Sequence, residues 1–148
     1  MRECVITIRP ADRDDQDLIL AWWGIPEVRK FTTTERQPTF AELLAQLRYP
    51  GRRDFMIIYQ ARRIGRTCLL DHQTYEELSL YIGELSLHGR GIGTEAIRLT
   101  ANLVKKPVRA KVMRENSASL RAFFANGFSV LSEDEAVIWL TQDAGRNT

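Results

Sequence analysis

With 148 residues, 44% of them hydrophobic and 27% charged, the chain has the size and composition of one globular domain with a sizeable core. A formal net charge of +2, carried on scattered lysines and arginines, is too weak for a nucleic-acid surface, and no run approaches the ~18 apolar residues of a membrane span. Nucleic acid and membrane are therefore excluded as partners.

Met1-Arg2-Glu3 leads straight into a strand with no apolar signal region, so the expected location is cytoplasmic. Cys4 and Cys68 lie in apolar stretches and show no ligand spacing with His72 or His88. They read as reduced core residues, and no metal site is expected. Residues 5–9 alternate and are β-branched, a strand stopped by Pro10. Asp12, Asp14, Asp15 and Asp17 crowd the start of a helix, where negative charge suits the dipole. Leu18, Ile19, Ala21 and Trp22 form that helix's buried face, and Gly24 ends it. Residues 25–31 read as a turn or short helical piece, and Thr32-Thr33-Thr34 as a loop. Thr39 with Glu42 makes a capping box that opens a second helix to about Arg48, broken by Pro50-Gly51.

Residues 55–59 and 64–70 form an antiparallel hairpin, residues 71–76 a polar loop, and residues 78–82 the next strand. Ile92, Ala96, Leu99 and Leu103 recur at helical spacing, which predicts a helix from about Gly91 to Val104. A short strand at 108–112 follows. Asn116 then caps a helix carrying Leu120, Phe123 and Phe124, closed by Asn126-Gly127. Residues 128–131 and 136–140 are a last pair of strands around the acidic turn Glu133-Asp134-Glu135, and the polar tail from Thr141 frays. The order β-α-α-β-β-β-α-β-α-β-β predicts an α/β (α+β) fold, a mixed and mostly antiparallel sheet flanked by helices on both faces. One domain spans 1–148, with its core at about 5–140, and an exposed sheet edge near the last strands could pair with a second copy.

Chemistry concentrates where the strand at 78–82 hands over to the following helix. Gly89, Gly91 and Gly93 let the backbone adopt φ > 0 and bring bare N–H groups to a ligand at a helix N-terminus, which makes an anion site. The segment also satisfies G-x-G-x-x-A, with Glu115 about twenty residues on, as in a dinucleotide-binding fold. Too little chain follows for the further βα units that fold needs, and antiparallel strands precede the junction.

His88-Gly89-Arg90-Gly91-Ile92-Gly93 resembles the pyrophosphate loop Q/R-x-x-G-x-G/A of the GNAT superfamily of N-acetyltransferases. Asn116, Ser119, Phe123 and Gly127-Phe128 resemble the later family pattern N-x-x-A/S-x-x-x-Y-x-x-x-G-F, in the right order and at the right separation. Trp22-Trp23 and Pro26-Glu27-Val28-Arg29 are similar to a region of the branch holding ribosomal-protein and amino-sugar acetyltransferases.

The resemblance implies acetyl-coenzyme A as acetyl donor. Its pyrophosphate would rest on His88, Gly89, Arg90, Gly91, Ile92, Gly93 and Thr94, and its pantetheine on main-chain groups near Leu80, Tyr81 and Ile82, with Asn116, Ser119 and Phe123 beside it. The reaction it implies is direct transfer to a neutral amine through an oxyanion that a strand N–H near Tyr81 stabilises. The acceptor would be a small-molecule amine such as an amino sugar, or a protein N-terminus. Phe123 stands where the family carries a proton-donating Tyr, so water or Ser119 must serve the leaving thiolate. Glu77 is the first candidate base, with Glu84 and Asp71 behind it, while Ser79 or Tyr81 offers a hydroxyl. Trp23, Arg29 and Phe31 are nominated for the acceptor pocket, and Trp22 and Trp139 as core aromatics at its walls. Two other readings stand beside this one, a non-catalytic acyl-coenzyme A sensor and the dinucleotide-binding protein.

Overall fold

A computed structural model describes residues 5–31 and 39–143; the expectations for Cys4, for Thr32-Thr33-Thr34 and for the last residues of the tail lie outside them. Seven strands form one sheet in the order β1-β2-β3-β4-β5-β7-β6. They are β1 (Thr7–Pro10), β2 (Arg52–Tyr59), β3 (Arg62–Asp71), β4 (Glu76–Ile82), β5 (Val108–Met113), β6 (Ser129–Glu133) and β7 (Val137–Gln142). The helices are α1 (Gln16–Trp23), the single turn α2 (Pro26–Arg29), α3 (Phe40–Leu47), α4 (Ile92–Ala101) and α5 (Ser117–Ala125). All neighbouring strands are antiparallel except β4 and β5, which α4 connects as a crossover. The mixed, mostly antiparallel sheet expected from the sequence is the one observed.

Local chemistry explains most boundaries. Thr39 Oγ1 accepts from the Glu42 N–H at 3.1 Å while Glu42 Oε1 accepts from the Thr39 N–H at 3.1 Å, the expected capping box. Pro10 ends β1 on an edge strand, where its missing N–H costs the ladder nothing. Four expectations need correction. Thr141 and Gln142 do not fray but pair with Arg109 and Val108. On α1, Ala21 faces out and Ile19 and Trp22 are the buried residues. Helix α4 stops at Ala101, which leaves Leu103 exposed beyond it, and Phe124 on α5 is exposed as well.

Side-chain alternation divides the sheet into two faces. On one, Leu69, Leu78, Val108, Ala110 and Leu140 pack with Ile97 of α4 and Phe123 of α5. Buried Thr100 of α4 donates to Thr67 of β3 at 2.9 Å, fixing the helix's height over the sheet. On the other face, Met56 and Tyr81 pack with Ile19, Trp22, Val28 and Leu43 of α1, α2 and α3.

Asp15 ties that second layer down. Its carboxylate, fully buried, accepts from both terminal nitrogens of Arg9 on β1 (2.7 and 2.9 Å), from the Asp12 N–H (2.8 Å) and from Arg63 of β3 (3.1 Å). Burial pushes this carboxyl up, and the hydrogen bonds from Arg9, Asp12 and Arg63 outweigh it, holding the group below the ordinary carboxylate range.

Candidate active site

Between β4 and α4 the chain makes one tight turn at Leu85–Leu87 and then opens. Gly89 and Gly91 both adopt φ +80°, and a Cβ at either would project into open space. Gly91 is the N-cap of α4, with no side chain capping the helix. From Gly89 to Thr94 no main-chain N–H meets a protein acceptor among the described residues; the first that does is Glu95, on Gly91 O at 3.2 Å. An uninterrupted row of donors thus curls around the positive end of a helix. The loop's base is pinned: the Gly83 N–H donates to Ile64 O at 2.7 Å, and the Trp22 indole lies where a Gly83 Cβ would stand, at 2.4 Å. His88 Nε2 donates to Ile82 O at 2.9 Å, so that ring braces the loop. Arg90 is exposed, with no side-chain partner among the described residues, and Thr94 O accepts from Asn126 of α5 at 3.0 Å.

Alongside this loop the sheet parts. Strands β4 and β5 pair only at Glu76↔Val108 and Glu77↔Arg109, so β4 from Leu78 to Ile82 has no strand partner on its β5 side. Unspent main-chain groups therefore line a slot leading from the glycine loop into the sheet. Leu80 and Ile82 face α4, with Leu80 Cδ1 3.8 Å from where a Gly93 Cβ would be.

Glu77, Ser79 and Tyr81 face the other way, toward α1. Glu77 Oε1 accepts from His72 Nε2 at 3.1 Å, and the His72 ring stacks on Tyr75 at 4.7 Å between centroids. Tyr75 in turn lies 4.1 Å from the Arg109 guanidinium carbon. Ser79 is exposed. Tyr81 is a wall and not an acid: its hydroxyl donates to Ile19 O of α1 at 3.4 Å, Trp22 and Trp23 flank the ring at 6.1 Å each, and Arg66 covers it at 4.6 Å. Burial pushes the Tyr81 phenol up and keeps it protonated. Arg66 shares the Asp54 carboxylate with Arg52, at 3.0 Å and at 2.9 and 3.0 Å. Two guanidiniums against one carboxylate leave this patch positive. Burial raises the neighbouring Cys68 thiol, so that cysteine is an inert core residue, as expected.

Phe123, Asn116, Ser119 and Asp71 are taken up by packing or by hydrogen bonds of their own. Phe123, 1% exposed, packs edge-on against Phe128 at 5.0 Å inside the core and offers no surface to a ligand. Asn116 caps α5 by accepting from the Ser119 N–H at 3.2 Å, which gives both residues a structural task. Asp71 is bound to Lys106 at 2.6 Å and to the Gln73 N–H at 2.8 Å; these hold its carboxyl low, so it is a poor base. Phe31 carries the Lys30 ammonium at 5.3 Å, while Trp23 and Arg29 are half-buried on the α1 and α2 side. His72, Tyr75 and Arg109 were not anticipated. The first two sat in a polar loop, and only the parallel register brings Arg109 beside Glu77.

Comparison with known proteins agrees with this architecture. An uncharacterized protein of Methanocaldococcus jannaschii is 25% identical over 146 residues, covering 91% of this chain and 30% of that protein, so the chain spans less than a third of its length. Spermidine N-acetyltransferase from Vibrio cholerae, solved with CoA and spermine, superposes with a TM-score of 0.83 at 17% identity, covering 95% of this chain and 96% of that one. Aminoglycoside acetyltransferase AAC(6')-Ib, solved with coenzyme A, gives 0.81 at 15% identity, covering 96% of each. Among the described residues no helix is long and apolar enough to cross a membrane. The acetyltransferase (GNAT) domain model matches residues 6–129, and the chain belongs to that family.

Proposed function

We propose that this chain is an acetyl-coenzyme A-dependent N-acetyltransferase acting on a primary amine, with residues 1–148 forming one catalytic domain. What carries the reading is the row of unpartnered N–H groups from Gly89 to Thr94 at the head of α4, opening onto the slot between β4 and β5. That cradle fits a pyrophosphate: its glycines leave the space a Cβ would take, and the helix dipole adds about half a positive charge. Arg90 adds a full charge at the rim. Main-chain groups of Leu80, Tyr81 and Ile82 would hold the pantetheine, and the cofactor, when bound, would supply an acetyl thioester.

The chain's own work falls on the α1 side of β4. An alkylammonium with pKa about 10.4 must lose a proton before it can attack, a cost of roughly 4 to 5 kcal/mol at pH 7. Glu77, opening to that side and already hydrogen-bonded to His72, is the base. Trp23, Arg29 and Phe31 wall the acceptor, and Ser79 is the exposed hydroxyl nearest Glu77 on the same face. With Phe123 buried, a thiolate of reference pKa about 8.5 leaves with solvent as its acid.

Thermal denaturation with millimolar acetyl-coenzyme A and thiol release across an amine panel test this. A raised melting temperature with thiol release is expected. Stabilisation without turnover of any amine would make the chain an acyl-coenzyme A sensor, and stabilisation by NAD or NADP alone would replace the reading altogether.

A further inference from the structure

Arg109, on the acceptor side, is half-buried and has no anion beside it among the described residues. It lies on β5 in parallel register with Glu77, and since paired residues of neighbouring strands point to the same face, the two heads stand side by side about 5 Å apart at the backbone. Arg109 is half-buried, its Nε is buried without an acceptor, and no carboxylate among the described residues lies within ion-pair distance. Glu77, the nearest acid in register, is turned to His72. The guanidinium carbon lies over the Tyr75 ring, 4.1 Å from its centroid, and the His72 ring stacks on the same Tyr75. A guanidinium lodged over a ring with no carboxylate paired to it is suited to a bidentate oxyanion.

The surroundings carry the same sign. Lys111, two residues along β5, points to the same face and is exposed. Two and three strands away, on β3 and β2, Arg66 and Arg52 share Asp54. The acidic turn that would draw a polycation is at the far end of β7 from Arg109, whose partner there is Thr141. Its Glu133 is bound by Arg114, and its Asp134 accepts the Ala136 and Val137 N–H groups.

We propose that the acceptor is a small amine carrying its own carboxylate or phosphate, with Arg109 binding the anion while Glu77 takes the proton from the amine. This rests on the acetyltransfer reading above and names its substrate class. Because Glu77 and Arg109 are lateral neighbours, amine and anion must be only a few bonds apart, as in an amino acid. A polyamine would set a cation against Arg109.

The test is thiol release at saturating acetyl-coenzyme A with glycine, β-alanine, γ-aminobutyrate, O-phosphoethanolamine, n-propylamine and spermidine, for the wild type, Arg109→Gln and Arg109→Lys. The expected result is kcat/KM at least tenfold higher for one of the anionic amines than for n-propylamine. The carboxylate series and O-phosphoethanolamine tell the two anions apart. Arg109→Gln should remove that preference, mostly through KM, by lowering kcat/KM for the anionic amine at least tenfold more than for n-propylamine. Arg109→Lys, which keeps the charge but loses the fork, should retain part of it. If n-propylamine or spermidine is the better acceptor, or Arg109→Gln slows all amines alike, the substrate class is wrong and acetyltransfer stands. If acetyl-coenzyme A binds and no amine releases thiol, both fall.

Discussion

The two halves of the candidate site are made of different material. The loop from Gly83 to Gly93 works through its backbone: φ +80° at Gly89 and Gly91, open space in place of side chains, and N–H groups left over by a helix start. The acceptor side works through side chains gathered from four separate segments, with His72 and Tyr75 from a turn, Glu77 from β4, Arg109 from β5, and Trp22 and Trp23 from α1. A backbone site suits a ligand part that does not vary, since main-chain donors are the same in every sequence. A side-chain site can be rewritten one residue at a time, so it suits the ligand part that varies.

The largest expected effect breaks the first half alone. Gly91→Asp forces a Cβ onto φ +80°, which costs about 1 to 2 kcal/mol, and sets a carboxylate against the anion. Together these should weaken acetyl-coenzyme A binding about a thousandfold, or about 4 kcal/mol. Isothermal titration reads this directly, and an unchanged Kd would place the pyrophosphate elsewhere. Glu77→Gln breaks the second half alone. It should lower kcat about 10²-fold near neutrality with cofactor affinity unchanged, and the deficit should shrink as pH rises toward the amine's own pKa. A deficit that does not vary with pH would remove Glu77 as the base.

The difference between the halves also governs how much of each was legible in the sequence. Strand, glycines and helix start are contiguous over residues 78–101, and local rules place the strand, the left-handed glycines and the helix start where the structure has them. The fold followed in the same way, because hairpins and caps are local. The acceptor side depends on the pairing Glu77↔Arg109, made across a crossover of some thirty residues, and on the Tyr75 ring that spaces His72 from Arg109. No periodicity announces either. Phe123 shows the same limit: the motif gives its position on α5 and leaves pantetheine or core open, and burial against Phe128 and the sheet decides for the core.

A weaker perturbation asks whether the acceptor wall can be loosened without touching the loop. Asp15 is the buried anchor of α1, and Asp15→Asn leaves Arg9 and Arg63 facing a neutral amide. Both arginines are about 40% exposed and can be solvated, so the loss should be about 2 kcal/mol, below that of a fully buried broken pair. Because the folded Asp15 carboxyl is held below its unfolded value near 3.9, its contribution is present above that pH and lost as pH falls below it. The gap between wild type and variant in urea titrations should therefore be full at pH 7 and close below about pH 4. The acceptor KM should rise while the coenzyme A Kd stays put. A matching loss of cofactor affinity would mean that the two halves are coupled through Trp22, which touches both Gly83 and Tyr81.

The smallest effect supplies the control. The β2–β3 hairpin turns on Gln60 and Ala61 at φ +50° and +63°, the mirror-image turn that Asn-Gly fits best, yet neither residue is glycine. Ala61 in the left-handed region costs about 1 kcal/mol, of which roughly half is returned when a glycine frees the unfolded chain. Ala61→Gly should then stabilise by about 0.5 kcal/mol and raise Tm by about 1 to 2 °C. Since this turn lies in neither half of the site, Kd, kcat and KM should not move. If they do, changes in overall stability are reaching the site, and the effects of Gly91→Asp and Asp15→Asn must be read at matched stability before either half is credited with them.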